Sequence, residues 1–319
     1  MNKLTKIAML MAATALAAGC VEGNRERVKA IDLSYLDTTV SPAVDFYQYA
    51  TGGWQKNNPL KPEYARFGSF DYLNENNEKR INDLFKSMTE MKAAKGSVEQ
   101  KISDIYKMGL DSLKLNEEGF TPVKKYLHQI LDAESKDELV KVIADLHDSG
   151  ESSFFGTFVM SDLMDSESQI LYIGQGGSGI GDRDYYTEAE NAEIKKGYEK
   201  FLTRVFELAG IPMPETAAAN ALAVEDVLAI NSWTSVQERD MEKLYNPMST
   251  EEIESKYPGF DFKAYFAARN IPDQKKINVN EPSFFEAFSN YFAEADLNML
   301  KNYMAGQLIQ GACGALSDD

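Results

Sequence analysis

The sequence contains few of the residues that build metal and disulfide sites. Its 319 residues include two histidines, His128 and His147, and two cysteines, Cys20 and Cys313. A zinc site needs three or four such ligands close together, and the chain has no H-E-x-x-H motif to set two histidines one turn apart on a helix. One pair of cysteines cannot form the set of disulfides that holds a small secreted fold together. The residues by themselves therefore predict no metal site and no catalytic residue.

Basic residues are scarce relative to acidic ones. There are 33 Lys and Arg against 50 Asp and Glu, which gives a net charge of −17. Binding to nucleic acid depends on clustered cations that displace counterions from the phosphates, so we expect no nucleic-acid partner. The apolar fraction of 44%, with 11% aromatic residues, is typical of a globular protein rather than a disordered chain.

A short apolar run at the N-terminus, residues 7–18, follows Lys3 and Lys6. It is shorter than the roughly 20 residues that a bilayer-spanning helix needs. A charged start, a short apolar middle and small residues at the end are instead typical of an export signal. The sequence LAAGC that ends at Cys20 resembles a bacterial lipobox.

This resemblance predicts a signal peptide over residues 1–19 and acylation of Cys20, followed by a polar tether over residues 20–40. Ordinary cleavage after Ala15-Leu16-Ala17, which would leave Cys20 as a free thiol, is the alternative. Acyl chains on Cys20 would anchor the protein to a membrane. We therefore expect an exported lipoprotein of the bacterial cell envelope, on its periplasmic or surface side.

Helical patterns dominate the remainder and predict a mainly α fold. Ser97-x-x-Gln100 and Ser135-x-x-Glu138 have the form of capping boxes. Apolar residues recur at helical spacing in several stretches: 102–113, 135–146, 193–208, 217–230 and 297–308. The last of these follows Asp296 as a cap, and its stripe of Leu297, Leu300, Met304 and Leu308 is expected to need a partner surface.

One segment departs from this pattern. Two β-rich runs near residues 154–173, joined by a polar connection, predict a small hairpin. The glycines that follow, Gly174-x-Gly176-x-x-Gly179, match the dinucleotide fingerprint in form. That fingerprint requires a βαβ unit with a helix opening at the glycines, and the polar residues after Gly179 do not supply one. We therefore interpret this stretch as a flexible loop rather than a nucleotide site.

Several distinctive blocks follow one another along the chain: DFYQYATGGW at residues 45–54, RFGSFD at 66–71, GIGDRDYY at 179–186, and Arg239-Asp240 followed by YNPM at 245–248. In this order they resemble the N-terminal region of the neprilysin (endothelin-converting-enzyme) family of zinc metalloendopeptidases. The resemblance extends over about residues 38–319. It implies one family domain over residues 41–319, incomplete at its C-terminal end, that forms a large helical lobe enclosing short peptide substrates.

The blocks also have physical interpretations. Gly52 and Gly53 allow close approach of another backbone segment beside Trp54. Arg183, which lies between two aspartates and beside two tyrosines, suits a partly buried network of ion pairs and hydroxyl groups. In the family, the arginine of the RFGSFD-like block binds the C-terminal carboxylate of the peptide, so the resemblance implies this substrate-binding role for Arg66. A planar guanidinium matches a carboxylate in bidentate fashion.

The family's zinc ligands and its substrate-binding strand lie in a second portion that these 319 residues do not contain. The resemblance thus implies zinc as the cofactor of the whole enzyme, none in this chain, and an inactive chain by itself. Expected partners are peptides, a catalytic portion from the same gene or a separate chain, and the membrane through Cys20. The alternative is a non-catalytic, lipid-anchored peptide-binding domain.

Overall fold

The computed structural model describes residues 31–62 and 64–318, so Cys20, the expected signal and most of the expected tether lie outside the described residues. The chain forms two compact units that divide between Asp104 and Ile105.

The predicted mainly α fold with a small hairpin is confirmed. The helices are α1 (Phe46–Asn57), α2 (Ser69–Glu90), α3 (Val98–Gly109), α4 (Ser112–Glu118), α5 (Thr121–Asp132), α6 (Lys136–Asp148), α7 (Asp184–Thr187), α8 (Ala192–Leu208), α9 (Pro214–Asn231), α10 (Thr250–Lys256), α11 (Phe262–Ala268), α12 (Pro282–Glu294) and α13 (Leu297–Ala312), and the strands are β1 (Phe155–Asp162), β2 (Asp165–Gln175), β3 (Pro247–Met248) and β4 (Ile277–Val279).

Side chains cap the helices where the sequence predicts it. Ser135 Oγ accepts a hydrogen bond from the backbone amide of Glu138 at 3.2 Å, at the start of α6. Asp296 Oδ1 accepts one from the amide of Asn298 at 2.8 Å, at the start of α13. These bonds satisfy amide groups that have no partner within the helix, which is why such residues mark helix starts.

In the first unit, a short 3₁₀ turn at Leu33–Tyr35 packs closely against α1. Gly53 permits this contact, because a Cβ atom there would overlap the carbonyl oxygen of Ser34 and lie 2.8 Å from that of Leu36. The close approach expected from the glycine pair is confirmed. In residues 31–62 and 64–104, only Gly52 and Ser103 are buried, so this unit leaves most of its apolar side chains exposed.

The second unit contains the hydrophobic core, and aromatic rings fill much of it. Phe155 packs against five other rings at centroid distances of 5.3–5.8 Å, those of Phe260, Phe262, Tyr265, Phe285 and Phe288. Helix α13 packs against α5, α8 and α9. Leu300 and Met304 of α13 are fully buried, so helices of the same unit supply the partner surface that this stripe was expected to need.

The sheet has the order β1-β2-β4-β3. Strands β1 and β2 form the predicted antiparallel hairpin, and β4 pairs in parallel with β2 and antiparallel with β3. Strands β3 and β4 were not predicted, because runs of two and three residues are too short to show an alternating pattern.

Candidate functional site

Arg66 lies on the wall of a cavity of about 480 Å³ in the first unit. Aromatic side chains from α1 and from the segment before α2, including Tyr47, Trp54 and Phe67, line the same cavity. Arg66 is exposed, and its guanidinium has no hydrogen-bond or ion-pair partner among residues 31–62 and 64–318. An unpaired cation beside aromatic surface can bind a carboxylate together with the apolar group next to it.

The rings beside Arg66 are held in place by each other and by one ion pair. The Trp54 and Phe67 rings stack at 6.0 Å, and the edge of Tyr64 packs on Phe67 at 5.1 Å. Glu75, on α2, pairs with Lys61 at 2.5 Å and accepts a hydrogen bond from the Tyr64 hydroxyl at 2.9 Å. Lys61 is thus engaged in an ion pair, whereas Arg66 has no such partner among residues 31–62 and 64–318.

The start of helix α2 holds the backbone segment that carries Arg66. Asp71 Oδ2 accepts a hydrogen bond from the amide of Gly68 at 2.8 Å, just before the first residue of the helix. Arg66 precedes this cap by two residues. The helix start therefore anchors the segment that carries Arg66.

The glycine-rich loop after β2 lies in the second unit, and it is not the flexible loop expected from the sequence. Tyr303 Oη donates to the carbonyl of Gly177 and accepts from the amide of Phe154, both at 2.8 Å. A Cβ atom at Gly177 would overlap the Tyr303 hydroxyl, and one at Gly179 would overlap the Tyr198 hydroxyl. The glycines are therefore explained by the close approach of tyrosine hydroxyls to the backbone, not by a nucleotide.

Glu225, on α9, is the centre of the contacts that hold this loop. Its carboxylate accepts hydrogen bonds from the hydroxyls of Tyr186 and Tyr198 (the latter at 2.8 Å), from the amide of Gly179 at 3.0 Å and from Gln307 Nε2 at 2.8 Å. Burial raises the pKa of Glu225, and these donors oppose part of the rise. The residue was not predicted, although a glutamate within an otherwise apolar helix is a signal that could have revealed it.

The expectation for Arg183 is only partly met. Its neighbour Tyr186 belongs to the hydroxyl network, as expected. Arg183 itself donates to the carbonyl oxygen of Ser232 at 2.8 Å and forms no ion pair with residues 31–62 or 64–318. This partner was not predicted from the sequence, because Arg183 and Ser232 are far apart in the chain.

Gln175, at the end of β2, connects the loop to the segment after α9. Its side-chain oxygen accepts from the amide of Trp233 at 2.6 Å, and its Nε2 donates to Glu238 Oε1 at 2.9 Å. Its own backbone amide donates to Glu281 Oε2 at 2.7 Å. One residue thus fixes the positions of three others, which the sequence alone does not indicate.

The buried carboxyl group of Glu281 makes the stability of the protein depend on pH. Burial raises its pKa from 4.5 to about 7. Because the folded-state pKa is the higher one, the contribution of Glu281 to stability is complete below pH ~4.5 and is lost as the pH rises towards 7. We expect the free energy of unfolding of the wild type, relative to Glu281→Gln, to fall by about 2–3 kcal/mol over that interval.

Chemical denaturation of both proteins at several pH values measures this difference. Burial lowers the pKa of His147 to about 4, so its contribution to the free energy of unfolding increases with pH. Because both proteins contain His147, this contribution cancels in the difference between them. A difference that is constant between pH 4.5 and 7 would contradict the assignment to Glu281.

Comparison with known proteins places the chain in a family. A model of the N-terminal part of peptidase family M13 matches residues 42–319. The chain belongs to peptidase family M13. Within that match lie Arg66, the glycine-rich loop and Glu225.

Similar M13 proteins are considerably longer than this chain. Endothelin-converting enzyme 1 of Bos taurus is 26% identical over 294 residues, covering 87% of this chain and 38% of that protein. The endothelin-converting enzyme homolog of Locusta migratoria is 28% identical over 326 residues, covering 94% and 44%. The crystal structure of Mycobacterium tuberculosis zinc metalloprotease Zmp1 in complex with an inhibitor superposes with a TM-score of 0.84 at 25% identity, covering 90% and 45%. The chain thus spans less than half the length of these relatives.

The described residues do not fit a zinc ion. Residues 31–62 and 64–318 contain no group of three or more His, Cys, Asp or Glu side chains able to hold a metal. His147 is buried, with its ring nitrogens 2.6 Å from the Tyr265 hydroxyl and 2.9 Å from the Ser153 carbonyl, so both nitrogens are engaged within the core. His128 is exposed. Zinc chemistry therefore has no place on the part of the chain that the structure describes.

No helix in the described part of the chain is both long enough and apolar enough to cross a bilayer.

Proposed function

We propose that this chain is the N-terminal, substrate-enclosing part of a zinc-dependent endopeptidase that cleaves short peptides. The family match over residues 42–319 carries the proposal. Relatives named as a converting enzyme and as a zinc metalloprotease support the same reaction class. Since the described residues do not fit zinc, the metal ligands and the base that activates water belong to a further portion, from the same gene or a separate chain.

Within this chain, Arg66 binds the C-terminal carboxylate of the peptide. The unpaired guanidinium can form two parallel hydrogen bonds to a carboxylate, and the stacked Trp54 and Phe67 rings offer apolar surface beside it. An amidated C-terminus lacks this charge, so the site would favour peptides that end in a free carboxylate. Arg66 would therefore position the substrate without taking part in the bond-breaking step.

The exposed apolar side chains of the first unit support the existence of a further portion. Val44, Phe46, Phe70, Leu73 and Met91 are between 60% and 88% exposed. Such a concentration of exposed apolar surface is typical of a face that another protein segment covers. The catalytic portion is the segment we expect to cover it.

Metal analysis tests this division of roles. The purified chain is dialysed against micromolar zinc and then washed. Elemental mass spectrometry should then find far less than one equivalent of zinc per chain. The chain should also leave short peptides uncleaved. Stoichiometric zinc, or zinc-dependent hydrolysis by the chain alone, would contradict the proposal.

The cavity at Arg66 also favours a second candidate function. Because the cavity lies within this chain, peptide binding does not require the catalytic portion, and a non-catalytic peptide-binding protein would use the same residues. Addition of the catalytic portion of an M13 relative distinguishes the two. Recovery of peptide hydrolysis supports the enzyme, whereas unchanged binding without hydrolysis supports the binding protein.

We further propose that Cys20 is acylated and anchors the protein in the bacterial cell envelope. The lipobox-like sequence LAAGC supports this proposal. Metabolic labelling with a fatty acid should mark the wild type and not Cys20→Ser. Equal labelling of both proteins would contradict acylation at this residue.

A further inference from the structure

A second cavity, of about 420 Å³, lies in the second unit beside the glycine-rich loop. We propose that it binds a basic side chain, lysine or arginine, of a peptide. This inference rests on the proposed function in that the ligand is a peptide, but it concerns residues other than Arg66. The lining residues that carry it are Gly177, Ser178, Asp182, Trp233 and Glu238.

The walls of this cavity are fixed by hydrogen bonds. Gln175 holds the backbone of Trp233 through its side-chain oxygen and Glu238 through its Nε2. The indole Nε1 of Trp233 donates to Ser283 Oγ at 2.8 Å. The indole and one carboxylate are therefore positioned before any ligand arrives, which lowers the entropy that binding would cost.

The charges of the lining favour a cation. Asp182 and Glu238 contribute two carboxylates, and neither forms an ion pair with residues 31–62 or 64–318. Arg183 also lines the cavity and keeps its positive charge, because the Ser232 carbonyl that it donates to is neutral. The two carboxylates exceed this single cation, so the charge of the lining remains negative. A lysine or arginine head group would meet these carboxylates and the indole of Trp233, a combination that attracts cations.

The glycine-rich loop offers the complementary groups for a peptide backbone. The amides of Gly177 and Ser178, and the Ser178 hydroxyl, form no hydrogen bond with the part of the chain that the structure describes. Both residues line the cavity. These donors suit the carbonyl oxygens of a peptide whose side chain enters between Asp182 and Glu238.

The two tryptophans of the chain allow each cavity to be observed separately, because Trp54 lines the Arg66 cavity and Trp233 lines this one. The probes are N-acetyl-lysine N-methylamide and its norleucine counterpart, neither of which has a carboxylate for Arg66. Indole NMR signals, assigned with Trp54→Phe and Trp233→Phe, report binding. The lysine probe should shift the Trp233 signal and leave the Trp54 signal unchanged, and the norleucine probe should bind about three- to tenfold more weakly.

The double variant Asp182→Asn/Glu238→Gln tests the carboxylates. Both changes keep the side-chain shape, and the new glutamine can still accept from Gln175. This variant should lose the preference for lysine over norleucine, whereas Glu117→Gln, an exposed residue outside the cavity, should retain it. An unshifted Trp233 signal, or a lysine preference that survives in the double variant, would overturn the inference.

The same measurement separates this inference from the proposed function. Arg66→Ala removes the carboxylate-binding group of the other cavity and should not change the response to the lysine probe. A wild type without a preference for a free carboxylate, but with an intact lysine preference, would contradict the Arg66 assignment alone. A lysine probe that binds without shifting the Trp233 signal, in a protein that still prefers a free carboxylate, would contradict the second cavity alone.

Discussion

Replacing Glu225 with alanine is expected to lower the free energy of unfolding of the second unit by about 3–5 kcal/mol. The carboxylate is buried and accepts hydrogen bonds from two tyrosine hydroxyls, one backbone amide and one glutamine. Alanine would leave the Tyr186 hydroxyl, the Gly179 amide and Gln307 Nε2 without this acceptor, whereas the Tyr198 hydroxyl still has Gln310 Oε1 at 2.7 Å. Denaturation followed by the fluorescence of Trp233, in a Trp54→Phe background, measures the loss.

Glu225→Gln is the matched control. Glutamine has the same shape and keeps one acceptor oxygen, while the tyrosine hydroxyls can rotate to accept from its amide group. The loss should be smaller, about 1–2 kcal/mol. If the alanine variant were as stable as the wild type, or if the two variants lost equal stability, Glu225 would not be the centre of the network. The alanine variant should also become sensitive to proteolysis in residues 174–183, because that loop loses its anchor.

Gly53→Ala is expected to destabilise the first unit by about 1–3 kcal/mol, although alanine ordinarily favours a helix. The added methyl group would overlap the carbonyl oxygen of Ser34 and force the 3₁₀ turn at Leu33–Tyr35 away from α1. Tyr35 lines the Arg66 cavity, so the displacement should also weaken peptide binding there. Denaturation followed by Trp54 fluorescence, in a Trp233→Phe background, measures the stability.

Gly197→Ala provides the comparison, because Gly197 lies within α8 and a Cβ atom there would meet nothing within 4 Å. That change should stabilise the protein by about 0.5–1 kcal/mol, as expected for an open helical position. Should Gly53→Ala also prove stabilising, the close approach of the turn to α1 would be contradicted.

The sequence predicted those features that depend on neighbours along the chain. Helix α6 was expected from Ser135 and its apolar spacing, and α13 from Asp296, because a cap and a periodic stripe are local properties. The β1–β2 hairpin was predicted for the same reason. Residues brought together from distant parts of the chain were missed, since nothing local links Gln175 to Trp233 or Glu225 to Gly179.

The two cavities differ in how far the sequence revealed them. Arg66 was singled out through the family resemblance of its motif, and the structure places it on a cavity wall, without a partner among residues 31–62 and 64–318. The second cavity was not predicted, because the loop that forms it was interpreted as flexible. That interpretation failed because it considered the glycines without the tyrosines: glycine at residues 177 and 179 is required by hydroxyl groups that come from α8 and α13.

The most direct test of the account is the affinity of the purified chain for one short peptide in two forms, with a free C-terminal carboxylate and with a C-terminal amide. Calorimetry on the wild type and on Arg66→Ala gives four dissociation constants. We predict that the wild type binds the free acid about 10- to 100-fold more tightly than the amide, as expected for a charge-assisted bidentate contact, and that Arg66→Ala binds both forms equally weakly. Equal affinity of the wild type for the two forms, or an undiminished preference in Arg66→Ala, would contradict the role of Arg66 in recognising the end of a peptide.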